Sequence, residues 1–147
     1  MGDYDAWTWD ACRERFYNWG MQAEFLMREL PETEDLEPFQ KTDQHFKNIM
    51  HHMLPVIDAL EESPDLQVGD KIASHYALHM GLHPNLYPSQ FSVTVYWDSQ
   101  QEKYQIGLNA FEYEEEAYVS FVEVIPTIRR YLLRLQEIEN EHQNTSD

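Results

Sequence analysis

Histidines offer the most specific chemistry in this sequence. His75 and His79 are four residues apart. Ile72, Ala73, Tyr76, Ala77 and Met80 recur at spacings of three and four around them, which predicts a short helix over 69–80 with Gly81 as its C-terminal cap. On such a helix both imidazoles share one face. Two neutral imidazoles one turn apart can chelate zinc or iron when a third ligand arrives from another element. His45 and His52, on a second predicted helix, are the candidates for that ligand. The segment His75-Tyr-Ala-Leu-His79 lacks the glutamate that zinc peptidases carry after the first histidine, so it is not that motif. The competing reading is electrostatic, since a histidine near a helix C-terminus stabilises the end of the helix dipole.

Other catalytic chemistry finds little material. Cys12 lies on one stripe with Trp9, Phe16 and Trp19, which predicts a buried, inert thiol. A single cysteine also excludes an internal disulfide framework and a cysteine-based zinc cluster. The chain has five glycines and no Gly-x-Ser-x-Gly, phosphate-binding or dinucleotide-binding pattern. Carboxylates are so abundant that no acid pair can be singled out as a glycosidase-type dyad. The expectation is a protein that is not an enzyme and needs no cofactor.

Carboxylates dominate the composition instead. Acids outnumber bases 27 to 10, for a formal charge of −17. Such a surface repels nucleic acid and anionic lipid, so neither is expected as a direct partner. The first 70 residues hold 16 acids and 5 bases, the remainder 11 and 5. Two segments lack any base. Glu29, Glu32, Glu34, Asp35 and Glu37 fall within nine residues, and Glu112, Glu114, Glu115 and Glu116 flank Tyr113. Aromatic anchors rimmed by charge suit a protein interface, and carboxylates in a row can imitate phosphates. Tyr4, Trp7 and Tyr113 lie outside the clear apolar stripes and are the candidate exposed anchors. The plainer readings are a solvated acidic coat and, at 112–116, a bare turn. Arg129, Arg130 and Arg134 on the last predicted helix are read as helix-stabilising ion-pair partners, with Glu137 or Glu123 in reach.

The elements that must position these groups follow from periodicity. Residues 7–30 form a helix with an apolar stripe from Trp9 to Leu30, capped by Thr8 or Asp5, stopped by Pro31 and weakened internally by Gly20. An acidic linker spans 31–41. A second helix starts near Thr42-Asp43, and Pro55 either kinks it or opens a new helix. After the helix at 69–80 and a loop over 82–89, the period becomes two. Phe91, Val93, Val95 and Trp97 alternate with polar residues, as do Tyr104, Ile106, Leu108 and Ala110 beyond a polar turn, which predicts a hairpin. A third strand over 111–119 completes a meander. Ser120 and Glu123 fit a capping box for a final helix, with Pro126 requiring a late start or a distorted first turn. The expected fold is α+β in one compact domain. It has three N-terminal helical segments, a small antiparallel meander, a long C-terminal helix packed on one face, and a frayed tail at 142–147.

No secretory signal or membrane span is visible, so a cytoplasmic location is expected. By size, acidity and α+β pattern the chain resembles small neutralising proteins, namely toxin immunity proteins and phage anti-restriction and anti-CRISPR proteins. That likeness is compositional and rests on no motif. It implies an inhibitor that occludes a basic effector, such as a nuclease, a CRISPR or restriction component, or a toxin, with DNA mimicry as one means. The alternatives are a histidine-ligated metalloprotein and a secretion or assembly chaperone, the latter fitting poorly with helices leading the chain.

Overall fold

The computed structural model describes residues 8–32, 35–66, 68–82 and 91–145. Its elements are α1 (Trp9–Arg28), α2 (Glu37–Glu61), β1 (Asp70–Ser74), β2 (Ala77–Gly81), β3 (Phe91–Asp98), β4 (Lys103–Ala110), β5 (Tyr113–Val119) and α3 (Phe121–Thr145). The fold is α+β. The strands form one antiparallel sheet in the order β1-β2-β3-β4-β5.

Strand register sorts the side chains onto two faces. Leu78, Val95, Ile106 and Ala117 align across four strands, and Met80, Val93 and Leu108 across three. These residues are buried, except Ala117, which is half-buried. The helices cover this face. Met53, Val56, Ile57 and Leu60 of α2 and Val124, Ile128, Leu135 and Ile138 of α3 join the same core. A ring cluster fixes α2 to the sheet. His52 stacks on Trp97 at 3.5 Å between centroids, and the Tyr104 hydroxyl donates to the His52 carbonyl at 2.8 Å.

The hairpin over 91–110, the strand after it and the outer helices agree with the sequence reading. Thr8 caps α1, its Oγ1 accepting from the Ala11 amide at 3.0 Å. Cys12 is fully buried, and burial pushes its thiol up to about 11. Gly20 is more than a weak point. A Cβ there would stand 2.5 Å from Met50 Sδ, so the missing side chain lets α1 and α2 approach.

Three expectations need correction. The predicted helix at 69–80 is instead the β1–β2 hairpin, with Ser74 paired to Ala77 around a two-residue turn. His75 and Tyr76 occupy that turn with φ of 54° and 62°, the left-handed geometry such turns demand. Gly81 is therefore the last residue of β2 and caps no helix. Two helices precede the sheet, not three. α2 starts at Glu37, six residues earlier than Asp43, because Pro38 suits a first turn and Asp35 Oδ1 accepts from the Glu37 amide at 3.0 Å. At the other end, α3 continues to Thr145. Pro55 and Pro126 both lie inside continuous helices, and the Glu123 amide donates to the Ser120 carbonyl at 3.0 Å in a tightened first turn of α3.

Candidate functional site

The histidine constellation is dispersed by this fold. His79 lies on β2 beside Thr94 of β3, on the sheet face away from the helices. His52 lies beneath the opposite face, against Trp97. Both nitrogens of His79 are engaged. Nε2 donates to the Ser74 carbonyl at 3.1 Å, and Nδ1 then accepts from the Thr94 hydroxyl at 3.1 Å. Burial, with a smaller contribution from nearby His75, holds this imidazole below the usual histidine range. His75 bonds through Nδ1 with the Ser74 hydroxyl at 2.9 Å. His52 donates from Nδ1 to the Asn48 carbonyl at 2.8 Å, and His45 is exposed beside Phe46. Among the described residues, no group of three or more His, Cys, Asp or Glu side chains could hold a metal ion.

The acidic segment at 29–37 occupies a projecting end of the molecule. α1 runs alongside β1. Lys71 Nζ lies 4.5 Å over the Trp9 ring, and Trp19 meets Tyr76 of the β1–β2 turn at 4.8 Å. Phe46 of α2 stacks on the same Tyr76 at 5.2 Å. α1 continues nine residues past Trp19, and α2 begins nine residues before Phe46. At 1.5 Å per residue the paired helix ends reach about 13 Å beyond the turn. Lys47 ties the two helices together, 2.8 Å from Glu24 Oε2 and 3.1 Å from Asp43 Oδ2. Those bonds lower the Glu24 pKa and raise that of Lys47.

Glu29, Glu32, Asp35 and Glu37 are exposed on this end. Glu37 meets Lys41 loosely at 3.8 Å, and among the described residues Glu29, Glu32 and Asp35 make no salt bridge. Several bases elsewhere pair with other acids. Arg13 bridges Asp10, Asp58 and Glu61, Arg129 meets Asp65, and Arg134 meets Glu137 as the sequence reading expected. Glu34, Tyr4 and Trp7 lie outside the described residues.

The second acidic segment is elsewhere. Glu112 is in the β4–β5 turn, and Glu114, Glu115 and Glu116 lie on β5, an outer strand of the sheet. Tyr113 pairs with Ala110, at the end of the sheet opposite the β1–β2 turn. Its ring is half-exposed with the Arg134 guanidinium 5.6 Å away, so it serves partly in packing against α3. Glu116 accepts from Gln105 Nε2 at 2.6 Å. The two segments thus occupy opposite ends and opposite edges and do not merge into one patch. Charge on an outer strand has its own function, because it discourages pairing with other chains.

Sequence reasoning missed an apolar group on α1. Phe25 and Leu26 are 52% and 50% exposed beside half-buried Trp19. Leu26 continues the apolar stripe that runs from Trp9 to Leu30, but α1 has left the sheet at that point. Among the described residues no helix is long and apolar enough to cross a membrane. Comparison with known proteins gives no match, whether to family models, curated proteins or solved structures.

Proposed function

We propose that this chain is a non-enzymatic binding protein that docks its projecting α1–α2 end on a basic protein surface. In doing so it occludes a nucleic-acid-binding site of the kind carried by a nuclease, a CRISPR or restriction component, or a toxin. The observation that carries the reading is the exposed, largely unpaired set Glu29, Glu32, Asp35 and Glu37 on a projection that a groove could admit. Complementary charge of this kind accelerates association and selects partners more than it adds affinity. The acids of β5 are assigned no part in the same footprint, because they lie at the other end of the sheet.

The test compares wild type with Glu32→Lys/Glu37→Lys. Proteins captured from the native host are identified, and the captured partner is then purified with its nucleic acid. The expected partner is basic and loses nucleic-acid binding in the presence of the chain. Its association rate falls about tenfold or more in the variant and also declines as salt rises from about 50 to 300 mM. A partner that is not basic, or an association rate indifferent to charge reversal and to salt, would overturn the reading.

A further inference from the structure

The outward face of α1 carries a pattern that complements itself. An open groove of about 520 Å³ runs along this face from Arg15 to Glu29, with Gln22 at its middle. The residues along it recur at spacings of three and four, the stripe that a packed helix pair requires. They are also symmetric about Gln22. Arg15 and Glu29 stand seven residues to either side, Asn18 and Leu26 four, and Trp19 and Phe25 three.

From this symmetry we infer that α1 is a homodimer interface, with two copies of the chain packing antiparallel about a two-fold axis at Gln22. Residues equidistant from the axis then face one another. Arg15 of each copy meets Glu29 of the other, Trp19 meets Phe25, Asn18 meets Leu26, and the two Gln22 amides can pair on the axis. Charge selects the direction, because a parallel pair would set Arg15 on Arg15 and Glu29 on Glu29. Within one chain these two residues are about 21 Å apart along the helix, too far to pair with each other. The Arg15 guanidinium lies 5.6 Å over the Trp19 ring, which already holds it along the groove. Phe25 and Leu26 would lose their exposed surface in the contact. The projection of α1 beyond the sheet keeps this half of the helix accessible.

A contact of one helix length is smaller than the ~800 Å² per partner of a standard interface, so the dimer is a weak one with micromolar dissociation. Effector docking was assigned to Glu29, Glu32, Asp35 and Glu37, of which the dimer uses Glu29 alone; docking is tested at Glu32 and Glu37 and the dimer without any effector, so either reading can fail alone.

The experiment is sedimentation of the full chain from about 1 to 500 µM, the range in which a micromolar dimer forms. The wild-type mass is expected to rise from 17.6 kDa toward twice that value. Arg15→Glu and Glu29→Arg should each weaken association about tenfold, because every dimer holds the pair twice. Arg15→Glu/Glu29→Arg should restore association to within about threefold of wild type, and the two single variants mixed together should form a heterodimer. Phe25→Ala, at an exposed position, should weaken the dimer while circular dichroism stays unchanged. A wild type that stays monomeric throughout overturns the inference. So does a dimer insensitive to the single variants, or a double variant that folds but fails to recover association.

Discussion

Replacing Gly20 with alanine should destabilise this protein, although a helix ordinarily gains from that change. The gain is about 1 kcal/mol, since alanine is the better helix former. Opposing it is the close approach of α1 and α2. The new methyl would sit 2.5 Å from Met50 Sδ and 2.8 Å from Met50 Cβ. The sulfur can swing aside, but Cβ is fixed to the α2 backbone, so relief requires the helices to move apart. Overpacking of this kind costs about 1–3 kcal/mol. The net expectation is a loss of up to about 2 kcal/mol, or a fall of up to about 6 °C in Tm for a chain of this size. Urea unfolding followed by circular dichroism measures it. A second background sharpens the test. The three nearest atoms all belong to Met50. In Met50→Gly, Gly20→Ala should therefore change sign and stabilise by about 1 kcal/mol. Equal or greater stability of Gly20→Ala in the wild-type background would refute the reasoning, as it would mean the helices separate without cost.

Two further outcomes follow from groups already described. Burial depresses the His79 pKa in the folded state, so the unfolded chain takes up the proton first. Its contribution to stability should be intact above about pH 6.5, decline as pH falls below that value, and level off once the folded imidazole also protonates. Subtracting the stability-against-pH curve of His79→Gln isolates it, and a flat difference between pH 7 and 5 would contradict the assignment. On the outer strand, Glu114→Val/Glu116→Val should produce association beyond that of the wild type, visible by light scattering, because two repelling charges leave an open edge. Light scattering no greater than that of the wild type at the same concentration would show that the acids of β5 do not protect the edge.

Much of the fold is legible where one periodicity stands alone. Phe91 to Ala110 alternates without competition, and the α3 stripe from Val124 to Ile138 runs long enough to exclude a strand. Residues 69–81 carry two signals at once. Ile72, Tyr76 and Met80 satisfy helical spacing, while Ala73, Leu78 and Met80 are the positions the sheet buries. The residues that decide between them, His75 and Tyr76, turn the chain with positive φ yet lack the Asn-Gly signature of such turns. The candidate site was visible only in part. The base-free run at 29–37 can be read directly, but its projection depends on where Trp19 and Phe46 close on Tyr76, contacts between residues far apart in sequence. The separation of the two acidic runs likewise follows from strand register, which neither segment encodes by itself.

The strands stand side by side in the order in which they occur in the chain. During synthesis each one emerges to find its neighbour already present, so the sheet can grow by short loop closures from β1 toward β5. The helix that shields much of its apolar face is last. Until α3 leaves the ribosome, Val93, Ile106 and Leu108 lack part of their final cover, and the nascent chain is most vulnerable to misassociation in that interval. The glutamates of β5 emerge just before α3, which places a repelling charge on the growing edge when the sheet is least protected.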